Sequence, residues 1–307
     1  MGGSGGGYFR SEKPKEVRDA LRKEEKATED QIFETQVSND IGDLLDEYNN
    51  RDVDAVRKAL ERLRKSLESD VEDGTITPVF GGSVRKHTYV DGISDIDSLF
   101  ILRGEEFTGF EPRDALDFFE SKVRRAFPDA NSDRDRMSLR IRHEGSVLEI
   151  LPAIRREGKL CIPSESGKAW SRINPEAFFR KLTEVNDRCG AKVIPTIKIA
   201  KGINDTFPVD QRLSGYHLES LAIEAFKNYK GPRNTKAMVE HFVGFAAERV
   251  LSPIRDKTGQ SLHVDDYAGA KGSELRRLMA HNLDRVWRRM KNANATRSRE
   301  KWTELLN

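Results

Sequence analysis

The sequence predicts an α+β protein: a small mixed sheet with flanking helices, followed by a mostly helical half. Three observations carry that prediction. The apolar run Leu99-Phe100-Ile101-Leu102, opened by Asp95-Ile96-Asp97, reads as a buried strand. Ser138 to Arg142 and Val147 to Ile154 alternate or stay apolar, and read as two strands that could pair around Glu144-Gly145. From Pro175 onward the pattern changes to helical spacing almost throughout. The expected division is an N-terminal arm over 1–27, a core with bracing helices over 28–170, and a helical domain over 171–307.

In chain order, Met1 to Tyr8 is a flexible glycine-rich arm, and Ser11 to Lys26 is charged enough to be a solvated helix. A helix is expected from Thr28, with Glu29 and Asp30 in its first turn, through Phe33, Val37, Ile41 and Leu45 to Asn49-Asn50. A second starts at Asp52 and carries Val53, Val56, Leu60, Leu63 and Leu67. Both are expected to brace the turn at Gly81-Gly82-Ser83. Ile76 to Phe80 delivers that turn, and Pro78 argues against a central strand because it donates no ladder hydrogen bond. Pro112 to Phe127 is amphipathic. In the helical half, starts fall at Pro175-Glu176 and Ser214, a polar loop covers 253–267, and Ser273 to Ala293 is a last amphipathic helix.

Composition excludes several function classes. Net charge is +2, so no global field declares a nucleic-acid partner, and evidence for one must be local. Cys161 and Cys189 have neither metal-ligand nor disulfide spacing. No apolar run approaches the roughly 20 residues that span a bilayer, and the N-terminus lacks a signal-peptide core. A cytoplasmic protein without a membrane partner is expected.

Chemistry concentrates between Phe80 and Arg103. Asp95 and Asp97, two apart on a strand, project to one face, where two carboxylates repel unless a cation lies between them. Hard divalent ions such as Mg²⁺ take this oxygen ligation and bind substrate phosphates as well. Gly82 lets backbone N–H groups approach a phosphate chain, and Ser83 adds a hydroxyl. A surface turn and solvated aspartates would read similarly one motif at a time; order, spacing and the fused apolar strand favour a site. Lys198 and Lys201 share a helical face that suits a triphosphate or simply faces water. Ser214 reads as an N-cap with Tyr216, Leu218 and Leu221 in the core, and His217 as a packed or surface histidine. Asp265 and Asp266 read as loop anchors. The arginine-rich last helix is a solvated face by default and an RNA- or partner-contacting face as the sharper alternative.

Gly82-Ser83 followed by Asp95-Ile96-Asp97 resembles the G-S…D-x-D signature of the polymerase-β-like nucleotidyltransferases. Leu213 to Leu221 resembles the S-x-Y/F-x-L-x-x-L segment of oligoadenylate-synthase-like enzymes. Together with the N-terminal helices and helical second half, these motifs look most like the bacterial cGAS/DncV-like nucleotidyltransferases, which synthesise cyclic di- or trinucleotide messengers in antiphage CBASS defence. The resemblance implies a polymerase-β-like core over 28–170 and a helical domain that completes the nucleotide pocket. It implies Asp95, Asp97 and, from a later strand, Glu149 as ligands of two Mg²⁺ or Mn²⁺ ions. Gly82 and Ser83 would form the phosphate turn, Lys198 or Lys201 would contact donor phosphates, and Ser214 and Tyr216 would lie near the nucleotide. Implied partners are NTPs, ATP among them, and CBASS regulatory proteins. An RNA- or tRNA-directed transferase and a non-catalytic scaffold are the alternatives.

Overall fold

The computed structural model describes residues 14–49, 58, 61–66, 76–80, 86–90, 96–107, 109–143, 146–164, 166–256 and 263–306. Its first half is built on seven strands: β1 (Ile76–Phe80), β2 (Ile96–Leu102), β3 (Asn131–Arg134), β4 (Leu139–His143), β5 (Ser146–Arg156), β6 (Lys159–Pro163) and β7 (Trp170–Ile173). The order is β1-β2-β5-β4-β3, with β6 pairing on β5 and β7 on β6. β2 and β5 run parallel and every other pair is antiparallel, so the sheet is mixed. β2 and β5 are apolar on both faces because both faces are covered. Phe100, Leu102, Leu148 and Ile150 pack on helix α2 (Pro112–Ala126), with Phe100 edge-on to Phe119 at 5.6 Å. Leu99, Ile101 and Ala153 form a smaller cluster on the other face. Among the described residues β1 pairs with β2 alone, so Pro78 sits on an edge strand, where its missing N–H is tolerated. β4 and β5 pair as expected; their connection, Glu144-Gly145, lies outside the described residues.

The second half comprises α3 (Pro175–Arg188), α4 (Val193–Asp205), α5 (Gly215–Phe226), α6 (Thr235–Arg249), α7 (Glu274–Ala295) and α8 (Arg299–Leu306). Side chains of Asn174, Ser214, Asn234 and Ser273 accept hydrogen bonds from the backbone N–H three residues on and cap α3, α5, α6 and α7. Leu182, Ile197, Leu221, Phe242, Met279 and Trp302 lie in one continuous core.

One expectation about the N-terminus changes. α1 (Pro14–Asn49) is one unbroken helix, in which Thr28 is interior and donates its hydroxyl to Glu24 O at 2.9 Å rather than capping a new start. Its Glu, Lys, Arg and Ala residues are strong helix formers and carry the helix through. Phe33, Val37 and Ile41 of α1 belong to the core of the helical half, so α1 packs there; the turn it is expected to brace lies outside the described residues. Lys236 of α6 donates to Glu34 at 2.6 Å, and Arg299 of α8 to Asp40 at 2.7 Å. Apolar spacing identifies a buried face, not the neighbour that buries it. Of the second expected helix, residues 61–66 are helical and Leu63 enters the sheet core; Asp52, Val53, Val56, Leu60 and Leu67 lie outside the described residues. The expected last helix is followed by α8, which buries Trp302, Leu305 and Leu306. Among the described residues no helix is long and apolar enough to cross a membrane.

Candidate active site

The register of the sheet assembles one row of charged positions. Asp97 on β2 pairs with Glu149 on β5, Glu149 with Arg140 on β4, and Arg140 with Asp133 on β3. By strand alternation, positions 97 and 149 fall on the face of Leu99, Ile101 and Ala153, opposite α2. Glu149 is half-buried, and Ser138 Oγ donates a hydrogen bond to its Oε1. Phe80, the last residue of β1, pairs with Ser98, so the chain leaves β1 and re-enters β2 at the end of the sheet where this row lies. Gly82, Ser83 and Asp95 fall in that connection and lie outside the described residues, as does the side chain of Asp97. Among the described residues no three His, Cys, Asp or Glu side chains converge as a metal site. The donor set nevertheless fits a hard cation: carboxylate positions 97 and 149 are neighbours, and Asp95 precedes β2 by one residue.

Beside the connection lies a buried ionic cluster. Glu219 of α5 is 1% exposed. Lys86 Nζ donates to its Oε2, Thr88 Oγ1 donates to Oε1 at 2.5 Å, and Lys201 Nζ of α4 lies 3.4 Å from Oε1. Lys201 Nζ also donates to Thr88 O at 2.8 Å. Burial pushes the Glu219 carboxyl upward, but Lys86 and Lys201 outweigh it and hold the group below its ordinary value. Among the described residues two ammonium groups meet this one carboxylate, an arrangement that suits a polyphosphate nearby. Lys198 Nζ donates instead to Asn49 at the end of α1, so the two lysines engage different partners.

The first turn of α5 is held from below. Ser214 is exposed and its Oγ accepts from His217 N at 3.2 Å, while Tyr267 Oη accepts from Ser214 N at 2.9 Å. His217 Nδ1 is hydrogen-bonded to Tyr267 Oη at 2.8 Å, and its Nε2 lies 3.4 Å from Asp265 Oδ2. Burial lowers the His217 pKa to about 4 against the pull of Asp265, with Arg276 and Arg249 adding to the lowering, so the ring is neutral at pH 7. Asp265 is itself paired with the buried Arg276 at 2.6 Å and accepts from Ile254 N, the anchoring role expected of it. Tyr216 is half-buried, donates to Asp256 Oδ1 at 3.1 Å, and lies 4.7 Å from Phe178 between ring centroids. Lys86 Nζ sits 5.1 Å from the Phe178 ring and 5.8 Å from that of Tyr216. The half-buried Tyr216 ring, backed by the buried Phe178, lies beside a cation and next to an exposed hydroxyl, and can take a stacked base and its phosphate.

Lys86, Thr88, Glu219, Asp256 and Tyr267 are absent from the sequence-predicted site. Lys86 and Thr88 lie in sequence between the glycine turn and Asp95, where no apolar periodicity marks them. Glu219 carried a usable signal, an acid between Leu218 and Leu221 in an apolar helix start. On α7, Arg276 is buried, and Arg288, Arg289 and Lys291 are paired with Asp284, Glu304 and Glu240. That pairing fits the solvated-face reading of the helix.

The family model of the Second Messenger Oligonucleotide or Dinucleotide Synthetase domain matches residues 15–186. No curated protein matches the sequence. Among solved structures, the chain is similar to CdnG of Bradyrhizobium diazoefficiens in complex with GTP (TM-score 0.66, 13% identity, 85% of this chain and 92% of that one). It is also similar to CdnC of E. coli MS115-1 with ATP (TM-score 0.63, 15% identity, 82% and 89%). The 3′-deoxy GTP-bound form of E. coli DncV gives TM-score 0.63 at 14% identity, over 95% and 89%. At these identities the likeness establishes the fold.

Proposed function

Because this chain belongs to the Second Messenger Oligonucleotide or Dinucleotide Synthetase family of bacterial cGAS/DncV-like nucleotidyltransferases, we propose that it joins NTPs into a cyclic di- or trinucleotide messenger for antiphage signalling. The observation that carries the reading is the pairing of position 97 with Glu149, in a sheet whose β1–β2 connection contains Gly82-Ser83. Asp95, Asp97 and Glu149 would hold two Mg²⁺ or Mn²⁺ ions. Bound there, such ions lower the pKa of an acceptor hydroxyl and neutralise charge on departing pyrophosphate. Gly82 and Ser83 offer backbone N–H groups and a hydroxyl to the triphosphate. Lys201, through the cluster it shares with Lys86, adds positive charge beside the segment that follows that turn in sequence, and Lys198 is the more peripheral phosphate candidate. Tyr216, backed by the buried Phe178, offers a base a stacking surface, and Ser214 a hydroxyl. The acceptor oxygen attacks the donor α-phosphorus, a phosphodiester forms, pyrophosphate leaves, and the hydroxyl proton is released. A further transfer within the linear product closes the ring. NTPs, ATP among them, are the substrates, and CBASS regulatory proteins are the partner class this reading brings.

The test is incubation with Mg²⁺ or Mn²⁺ and labelled NTPs without RNA, read by mass spectrometry, with Asp95→Ala/Asp97→Ala as control. A phosphatase-resistant small product that the control lacks is expected. Product only on added tRNA would replace this reading with an RNA-directed transferase, and no product with any acceptor would leave a scaffold.

A further inference from the structure

Among the described residues the two halves have separate apolar cores: the helical cluster contains no strand residue, and the sheet clusters contain none from α3 to α8. Among the described residues beside the candidate site, hydrogen bonds and ion pairs between these halves run through segment 86–90. Segment 86–90 begins three residues after Ser83, and three of its groups, Lys86 Nζ, Thr88 Oγ1 and Thr88 O, bond to Glu219 or Lys201. Their partners lie 113 to 133 residues away in sequence. Around Glu219, Leu218, Leu221 and Ala222 all enter the helical core. An apolar side chain there would fill the volume without desolvating a carboxylate and two ammonium groups, so packing alone gives no reason for the charge.

We propose that Glu219 is a positioning residue: it fixes segment 86–90 to α5, so that groups preceding Lys86 and groups on the first turn of α5 are held in one frame. The inference rests on the nucleotidyltransferase reading, in which Gly82-Ser83 meets the phosphates and Ser214-Tyr216 the base. Within one frame, the bond-forming geometry of donor and acceptor is set before substrates arrive. A slack junction would leave each nucleotide bound but misaligned, and misplacement of about 1 Å costs about 100-fold in rate.

Glu219→Gln keeps the shape and removes the charge; Thr88→Val keeps the shape and removes one donor while both lysines retain Glu219. Steady-state kinetics of product formation from ATP, thermal melting, and hydrogen exchange of the peptide covering 86–90 are measured on each. For Thr88→Val, kcat should fall about 5-fold, as for one lost hydrogen bond, with KM for ATP within about two-fold and exchange at 86–90 faster by a similar factor. For Glu219→Gln the fall in kcat should approach 100-fold, and Glu219→Asp should recover part of it. A lower melting temperature with unchanged kcat in both variants would reduce Glu219 to a structural role and overturn the proposal. Unchanged exchange at 86–90 in folded Thr88→Val would overturn it too. If the wild type yields no nucleotide product, the transferase reading fails while the exchange measurement still decides whether the junction exists. Should Glu219→Gln not fold, Thr88→Val decides alone.

Discussion

Acidification should unlock the base of α5 through one buried imidazole. His217 is fully buried, and its pKa is lowered from 6.5 to about 4 by burial, then by Arg276 and Arg249, against the opposing pull of Asp265. The folded state resists a proton that the unfolded chain accepts, so between these values the unfolded state binds more protons. Stability from His217 is therefore complete above pH 6.5 and is lost as pH falls toward 4. At about 1.4 kcal/mol per pH unit, the full loss is about 3 kcal/mol, and about 2 kcal/mol of it has gone by pH 4.5. Other groups titrate in this range, so the measurement is a difference: urea unfolding of wild type and His217→Phe at pH 7 and pH 4.5. The wild type should lose about 2 kcal/mol more than the variant over that interval. Equal losses would refute the assignment of a buried neutral histidine.

Three further outcomes follow from the site and its supports. Glu149→Gln should lower product formation by about two orders of magnitude, the scale of a lost charge-stabilising group, with the urea midpoint nearly unchanged. Tyr216→Ala should weaken nucleotide binding by about 1–3 kcal/mol, read as a rise in KM, whereas Tyr216→Phe keeps the ring and should change it little. Arg276→Met strands the buried Asp265 carboxylate and should cost about 3–5 kcal/mol in urea unfolding, with Arg276→Met/Asp265→Leu recovering part of it.

Periodicity made much of this architecture readable. β2 and the core of β5 announce themselves by apolar runs, α2 by its stripe, and Pro78 marks β1 as an edge. β3 was silent because all four of its residues are exposed and only pairing with β4 defines it. β6 and β7 are only five and four residues long, β6 with half-buried residues beside its buried ones and β7 with none fully buried. α8 is a short helix whose Trp302, Leu305 and Leu306 are buried in a core that includes helices distant in sequence. Within the candidate site, Glu149 was legible because an acid inside an apolar strand demands a reason. Lys201 drew notice for its spacing from Lys198, yet its ammonium group turns toward Thr88 and Glu219. Which way a lysine on a helix reaches depends on what the next helix and the preceding loop bring to it, and spacing holds no record of that.

The seating of α1 has a consequence for the order in which this protein can be made. Phe33, Val37 and Ile41 leave the ribosome early, but Lys236, whose ammonium group lies over the Phe33 ring, and Trp302 of the same core emerge some two hundred or more residues later. Every strand is synthesised in that interval, so the sheet can close first while the amphipathic face of α1 waits uncovered. A nascent chain stalled before α6 would carry a finished sheet beside a sticky helix. Chaperone dependence should therefore track the synthesis of the helical half and not of the strands.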